Sequence, residues 1–170
     1  QNEGEATCSK CEVGTFAAPN KENEVVCTSC SRGKFIDEPG QTTCKGCPED
    51  TFGIDPGATS KGDCAKCSSD FAPHTTTGGS TGVSDPILCV CAGANLDATE
   101  GTEAYQGYYA VDDAARSLEL VKPDPATRAI CKACPIGAAC TRPGMRAADL
   151  ITRPGFWRPN NASTSFVDCS

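Results

Sequence analysis

The chain has 170 residues, 14 of them cysteine, and a formal net charge of −7. Leu, Ile, Val and Phe together supply only 25 residues, which is too few for one large hydrophobic core and would by itself favour disorder. The acidic balance argues against nucleic acid and anionic lipid surfaces as partners, and no apolar run in this fragment is long enough to span a membrane.

Eight of the cysteines form four evenly spaced C-x-x-C pairs, which predict a repeated small module. A period near 20 residues with cysteine as its constant element is typical of modules joined by disulfides. A loop of about 15 residues closed by one disulfide is worth roughly 3 kcal/mol in the chain-entropy model. We therefore expect cross-links to order the chain in an oxidising, extracellular environment reached through the secretory pathway. The pairs are Cys8/Cys11, Cys27/Cys30, Cys44/Cys47 and Cys64/Cys67.

Three segments share the pattern C-x-x-[G/D]-x-F, at residues 11–16, 30–35 and 47–52. Gly, or an Asp that tolerates the left-handed region, suits a tight turn after the cysteine. We expect Phe16, Phe35 and Phe52 to pack across the next disulfide as small module cores. Turn residues and a short return segment follow each Phe, so each repeat is predicted to be a two-stranded ribbon.

Regularity decreases after the third repeat. The fourth, Cys67 to Phe71, is one residue short of the pattern, and a Thr- and Gly-rich loop leads to Cys89. A C-terminal segment with different cysteine spacing contains Gly-Phe-Trp-Arg. Its Phe156-Trp157 pair is predicted to form a small core, with Trp157 as a core residue, or a contact between modules. We predict four tandem repeats at residues 1–91, a less regular linking module at 92–125, and a cysteine-rich segment at 126–170 that continues beyond this fragment. The predicted fold class is small and disulfide-rich, mostly irregular with short β-hairpins.

The repeated C-x-x-C-x-x-G-x-F pattern of residues 8–91 resembles the ephrin-receptor-like cysteine-rich repeats, relatives of EGF and TNF-receptor modules. The C-terminal pattern, C-x2-C-P-x-G-A-x-C followed by G-F-W-R, is similar to a segment of very large surface proteins of algae and other protists, including mastigoneme (flagellar hair) proteins. The resemblance implies elongated tandem modules of a surface protein.

The resemblance to EGF and TNF-receptor modules also implies a sequential disulfide order, in which each cysteine before the x-x-G-x-aromatic pattern bonds to the next cysteine downstream. This order covers the first four bonds only. In the last segment we pair Cys91–Cys131 and Cys134–Cys140 without support from the resemblance, and we leave Cys8 and Cys169 unassigned or bonded outside this fragment. The sequence leaves a crossed order open, with Cys8–Cys27, Cys11–Cys30, Cys44–Cys64 and Cys47–Cys67. The sequential pairs are Cys11–Cys27, Cys30–Cys44, Cys47–Cys64 and Cys67–Cys89.

Zinc is the main alternative role for the C-x-x-C pairs. Residues 8–30 satisfy a zinc-ribbon spacing, but consecutive pairs recur without a gap between sites and His74 is the only histidine. A redox C-x-x-C motif needs a helix N-terminus, which the pattern lacks. The acidic pairs Asp37-Glu38 and Asp112-Asp113 lack the alternating ligand spacing of a calcium loop. We therefore expect no metal, no cofactor and no catalytic residues, with His74 in a solvated loop.

The sequence favours a structural role. Asn161 begins the only N-x-[S/T] sequon and is a predicted glycosylation site. The expected function is an extracellular repeat region of a larger cell-surface or fibre-forming glycoprotein, a rigid disulfide-linked rod with lateral contacts. Its expected partners are other protein chains, neighbouring modules and glycans. The alternative is a ligand-binding ectodomain of a cell-surface receptor.

Overall fold

The structure is a computed structural model in which residues 10–94, 107–110 and 131–169 are described. These ranges contain fourteen strands of two to five residues. The strands are β1 Thr15–Pro19, β2 Val25–Ser29, β3 Lys34–Phe35, β4 Lys45–Gly46, β5 Thr51–Phe52, β6 Ala65–Lys66, β7 Thr75–Thr76, β8 Val90–Cys91, β9 Tyr108–Ala110, β10 Cys131–Ala133, β11 Ala138–Ala139, β12 Ile151–Thr152, β13 Phe156–Trp157 and β14 Val167–Asp168.

Each odd-numbered strand pairs with the strand that follows it, which gives seven two-stranded antiparallel sheets in the described ranges. We number them ribbon 1 (β1–β2) to ribbon 7 (β13–β14). Ribbon 1 has five residue pairs, ribbon 5 has three and the others have two. Isolated ribbons of this length are marginal in water, so other links must hold them. This arrangement confirms the predicted fold class.

Between the strands, the described ranges contain three 3₁₀ turns and one turn of π-helix. The first 3₁₀ turn, Lys61–Asp63, has a capping box: the Ser60 hydroxyl accepts from the Gly62 N–H, and the Asp63 carboxylate accepts from the Ser60 N–H. The other two 3₁₀ turns are Pro86–Leu88 and Ala147–Asp149, and the π-helical turn is Cys67–Phe71.

A residue with positive φ, which we call the turn residue, precedes the first strand of every ribbon. Positive φ is costly for residues with a Cβ, freely adopted by glycine, and tolerated more often by Asp, Asn and His than by other residues. This preference explains the Gly or Asp of the repeated pattern. The turn residues of ribbons 1 to 7 are Gly14, Gly33, Asp50, His74, Gly107, Gly137 and Gly155.

A second constant feature is the residue that follows the second strand of each ribbon, which we call the closing residue. Its N–H donates to the carbonyl oxygen of the turn residue, at 2.8–3.0 Å in all seven ribbons. Ribbons 5 to 7 therefore share the frame of ribbons 1 to 4, although their cysteine spacing differs. The closing residues are Cys30, Cys47, Cys67, Ala92, Cys134, Arg153 and Cys169.

The fourth repeat differs from its sequence-based description. The π-helical turn follows Cys67 and is closed by the Ala72 N–H, which donates to the Cys67 carbonyl oxygen at 2.9 Å. The turn residue is consequently His74, seven positions after Cys67 instead of three. The repeat is therefore four residues longer than the pattern, not one shorter. Phe71 is buried at the end of the inserted turn.

Buried side chains form three small clusters instead of one core. The first cluster lies around Phe52, the second around Tyr109 and the third around Phe35. Each cluster contains at least two half-cystines, so sulfur takes the place that aliphatic side chains occupy in larger domains.

Candidate functional site: a disulfide ladder with a repeated interface

Six disulfides connect the ribbons in sequential order. Their Cα–Cα distances are 5.5–5.9 Å, within the usual range for the bond. The first four bonds follow the order that the resemblance implies, and the two bonds assigned without it are also formed. No crossed pair is formed among the described cysteines. Cys169 is free and exposed, and Cys8 lies outside the described residues. The bonds are Cys11–Cys27, Cys30–Cys44, Cys47–Cys64, Cys67–Cys89, Cys91–Cys131 and Cys134–Cys140.

Each complete C-x-x-C pair joins two consecutive loops. Cys27 bonds backward to Cys11, whereas Cys30 bonds forward to Cys44. The same division holds for the pairs at residues 44–47 and 64–67. Two covalent loops are thus separated by only two residues, which limits the angles available between them.

Backbone hydrogen bonds connect the loop of one repeat to the cysteine that begins the disulfide loop before it. In four loops a glycine N–H donates to a cysteine carbonyl oxygen, at 2.7–2.8 Å. These glycines all have positive φ, so they are turn points at which a side chain would be strained. The bonds are Gly40 to Cys11, Gly57 to Cys30, Gly82 to Cys47 and Gly144 to Cys91.

The residue after each of these glycines, which we call the cover residue, makes a second bond between ribbons. Its carbonyl oxygen accepts a hydrogen bond from a backbone N–H of an earlier ribbon. The donor is the residue directly after the aromatic residue of that ribbon's first strand. The N···O distances are 3.2 Å for Ala17 to Gln41, 3.0 Å for Ile36 to Ala58, 2.9 Å for Gly53 to Val83 and 2.8 Å for Ala110 to Met145. Two of these contacts are also parallel β-bridges, Phe35↔Ala58 and Phe52↔Val83.

Apolar cover residues bury the aromatic ring beneath them. Val83 packs in the cluster of Phe52, which is 5% exposed. Ala58 packs against the cluster of Phe35, and Met145 packs in that of Tyr109. Each ring also shares its cluster with the disulfide that begins at the closing residue of its own ribbon. These three interfaces therefore share one ring, one disulfide and one cover residue.

Phe35 and Phe52 lie in the small cores that the sequence predicts, whereas Phe16 is only half-buried. The cover residue above ribbon 1 is Gln41, a polar side chain. The position after the loop glycine was the signal that sequence reasoning missed.

Within the described residues Trp157 is not part of a core, so the core alternative is wrong, whereas the contact between modules stays a prediction. Its side chain is 56% exposed. Side chains alternate between the two faces of a ribbon, and it is the neighbouring Phe156 that packs inward, where its ring meets Gly137 of ribbon 6. The opposite face of ribbon 7 carries Trp157 and its cross-strand partner Val167, which is 51% exposed.

Arg158 holds the C-terminal segment together through backbone carbonyls. Its guanidinium donates to the carbonyl oxygens of Leu150 at 2.9 Å, Ala147 at 2.6 Å and Ser163 at 2.8 Å. It also lies 5.3 Å from the ring centroid of Phe166. The predicted glycosylation site, Asn161, is exposed in the turn that this side chain holds.

His74 stacks on Tyr108, with ring centroids 4.0 Å apart and an angle of 13° between the planes. The pair lines a shallow groove of about 370 Å³ between ribbons 4 and 5 that also includes Asp50 and Ser68. Because His74 is exposed and supplies the turn residue of ribbon 4, its described contacts are structural.

Two exposed carboxylates have lowered pKa values. A hydrogen bond from Lys45, at 2.6 Å, lowers the pKa of Asp37, and the same contact raises the pKa of Lys45. Backbone N–H groups of Thr59 and Ser60 donate to Asp63 and lower its pKa.

In the described ranges, no group of three or more His, Cys, Asp and Glu side chains is arranged to hold a metal ion. No helix there has the length and hydropathy needed to cross a membrane.

These features define a class: tandem cysteine-rich modules in which disulfides and a repeated interface replace a hydrophobic core. Residues 19–64 match the family model described as tyrosine-protein kinase ephrin type A/B receptor-like. The chain thus contains an ephrin-receptor-like cysteine-rich repeat, as the sequence pattern predicts. No curated protein matches the chain. The similarity of the C-terminal segment to mastigoneme proteins stays a prediction.

Proposed function

We propose that this chain is an extracellular structural region of a larger cell-surface or fibre-forming glycoprotein. In this role successive ribbons form a rigid rod, and their exposed faces contact other protein chains. The observation that carries the proposal is the recurrence of one interface: the same two backbone bonds join the loops at residues 40–41, 57–58, 82–83 and 144–145 to earlier ribbons. Such an interface gives ribbons 1, 2, 3 and 5 a defined orientation on the repeat that covers them.

Small-angle X-ray scattering tests the rod. A compact globule of this length would have a radius of gyration of about 15 Å, and we expect a clearly larger value with a pair-distance distribution typical of an elongated particle. A radius near the globular value would contradict the proposal. The reduced and alkylated chain is the control, because its radius of gyration should increase further and its scattering should become that of an unfolded chain.

Resistance to tension is the proposed mechanical property. A closed loop cannot lengthen while its disulfide is intact, and the four N-terminal bonds have sequence separations of 14 to 22 residues. Force spectroscopy on the chain held at its two ends should show steps of roughly 50–80 Å only when reductant is present, at ~3.5 Å per released residue. Such steps without reductant would contradict the proposal.

A double variant, Cys47→Ala with Cys64→Ala, is the matched control for that experiment. It opens one loop of separation 17 and should add one step without reductant. The other loops of the same molecule remain closed and serve as an internal reference.

We infer that the chain has no catalytic role. The histidine stacks on Tyr108, and eight of the described cysteines from residue 11 to residue 89 are bonded in pairs. Disulfide sulfurs are neither nucleophiles nor metal ligands. Elemental analysis that found stoichiometric zinc would contradict the bonded state of the sulfurs on which this inference rests.

Asn161 should carry an N-linked glycan in the native protein, since it is exposed and begins a sequon. Treatment with an amidase that removes N-glycans should lower the mass of the peptide containing residue 161 and convert that Asn to Asp. Ser163→Ala, which removes the sequon, is the control. An unmodified peptide from the native source would contradict the prediction.

A ligand-binding receptor ectodomain is the second candidate function. The name of the matching family refers to receptors, and the groove beside His74 and Tyr108 offers polar groups for a protein partner. The parent polypeptide discriminates between the two: many further repeats and a filament favour the structural role. One membrane span followed by a cytoplasmic signalling domain favours the receptor.

A further inference from the structure

The exposed face of ribbon 7 occupies the same place in its ribbon as faces that are covered elsewhere. Trp157 lies two residues after its turn residue, Gly155, as Phe35 does after Gly33 and Phe52 after Asp50. Phe35 and Phe52 are each 5% exposed, whereas Trp157 is 56% exposed.

The closing residue of ribbon 7 is also in register with the others. The Cys169 N–H donates to the Gly155 carbonyl oxygen at 2.8 Å, and the Cys47 N–H donates to Gly33 at the same distance. Every other closing residue that is a cysteine bonds to a cysteine downstream. Those bonds are Cys30–Cys44, Cys47–Cys64, Cys67–Cys89 and Cys134–Cys140.

This face also has a backbone N–H without an acceptor in the described part of the chain. In ribbons 2 and 3, the residue after the aromatic, Ile36 or Gly53, donates its N–H to the cover residue of the next repeat. The equivalent residue in ribbon 7 is Arg158. Its backbone N–H has no acceptor within the described part of the chain.

We propose that the face formed by Trp157, Val167 and the Arg158 N–H is the docking surface for one further cysteine-rich repeat of the same polypeptide. That repeat begins at Cys169, which bonds to a cysteine downstream of it. Its loop places a cover residue on Trp157 and a carbonyl oxygen on the Arg158 N–H. The surface is equivalent to the faces that the cover residues occupy in ribbons 2 and 3, and this equivalence identifies its occupant. The inference holds for a structural protein and for a receptor alike.

Disulfide mapping of the full-length protein from its native source tests the bond. The protein is alkylated before lysis and digested without reduction, and peptides containing Cys169 are identified by mass spectrometry. We expect a cross-link to a peptide that follows residue 170, with a loop length comparable to the 14 to 22 residues of the N-terminal bonds. A free thiol, a bond to Cys8 or a bond between two copies of Cys169 would overturn the proposal.

Fluorescence tests the covering of the surface, because Trp157 is the only tryptophan in these 170 residues. In the 170-residue chain its emission should resemble that of a solvated indole and be quenched efficiently by acrylamide. In a version extended by the next native repeat, quenching should fall several-fold and the emission should shift to shorter wavelength. If the extension contains a further tryptophan, that residue is replaced by Phe.

The variant Cys169→Ser in the extended protein separates docking from folding. The disulfides from Cys11 to Cys140 serve as a folding control, since this substitution leaves them intact. We expect Trp157 to regain much of its quenching when the bond is lost. Equal quenching in the short, extended and variant proteins would show that nothing docks on this face.

Discussion

Glycines at contacts between repeats are the positions at which single substitutions should matter most. A Cβ on Gly33, built on the observed backbone, would lie 2.3 Å from the carbonyl oxygen of Gly82. A Cβ on Gly14 would lie 2.4 Å from that of Gly57. The carbonyl is part of the backbone and cannot rotate away, so these glycines are required by packing as well as by φ.

Gly33→Ala should destabilise the oxidised protein more than Gly155→Ala. Both positions have positive φ, 77° and 83°, so both substitutions carry a strain of about 1–2 kcal/mol. Only Gly33 has a neighbour within 4 Å of the added Cβ. Guanidinium unfolding of the two variants separates the steric overlap from the φ strain, and equal losses would show that the contact is unimportant.

Asp63 should make the loop at residues 59–63 sensitive to acid. Its pKa is lowered in the folded protein by the Thr59 and Ser60 N–H groups. A lowered folded-state pKa gives a stabilisation that is present above the unfolded pKa and lost as the pH falls through the folded value. We expect the protection factors of these two amides against hydrogen exchange to fall between neutral pH and about pH 2.

Asp63→Asn is the matched control for this titration. The amide oxygen can still accept from the backbone but does not ionise. The variant should show lower protection at neutral pH and little change on acidification. A wild-type protein whose amide protection stays constant over this range would contradict the prediction.

At the scale of the ribbon, the cover residue decides how well each aromatic is buried. Val83 and Met145 are apolar and lie in the clusters of Phe52 and Tyr109. Gln41 holds the equivalent backbone position above ribbon 1, where Phe16 remains half-buried. Ribbon 1, with five residue pairs, relies on more of its own backbone bonds instead.

Gln41→Met should therefore stabilise the protein by about 1 kcal/mol, the scale of a partly buried apolar side chain. The gain comes from apolar contact with Phe16, as Met145 makes in the cluster of Tyr109. Chemical unfolding measures it, and Gln41→Asn is the control because it alters size without adding apolar surface. If Gln41→Met does not stabilise the Phe16→Ala variant, the contact with Phe16 is the source of the stabilisation. An equal stabilisation of that variant would contradict the prediction.

The sequence predicts these ribbons well because their determinants are local. A cysteine followed by Gly or Asp at the third position fixes a turn, and the bonded closing residue comes from the next C-x-x-C pair. The cover residues were missed because their role depends on a contact between repeats. The sequence could not decide between a core and a contact between modules for Trp157 for the same reason: its type favours burial, but burial requires a neighbour on that face of ribbon 7.

At the scale of the whole molecule, stability should be distributed along the chain. Each cluster contains residues of adjacent repeats, and none of the three includes residues from both ends. Molecules of this kind respond to damage as a series of units coupled to their nearest neighbours.

Replacing Cys67 and Cys89 by Ala should therefore disrupt ribbons 3 and 4 and spare the C-terminal clusters. Loss of a native disulfide typically costs 2–5 kcal/mol, and both sulfurs lie in the Phe52 cluster. Hydrogen exchange measured by peptide should rise around residues 47–94, with the peptide at 134–150 as the internal control. A uniform rise along the chain would indicate one cooperative core.

The loops closed by these disulfides differ widely in length, from sequence separations of 6 to 40, yet the N–H of the closing residue meets the carbonyl of the turn residue in every ribbon. Insertions between two bonded cysteines are therefore compatible with an unchanged frame. Evolution could vary the loop sequences, and foreign epitopes could be grafted into the loops, while the spacing between successive loops along the molecule stays the same.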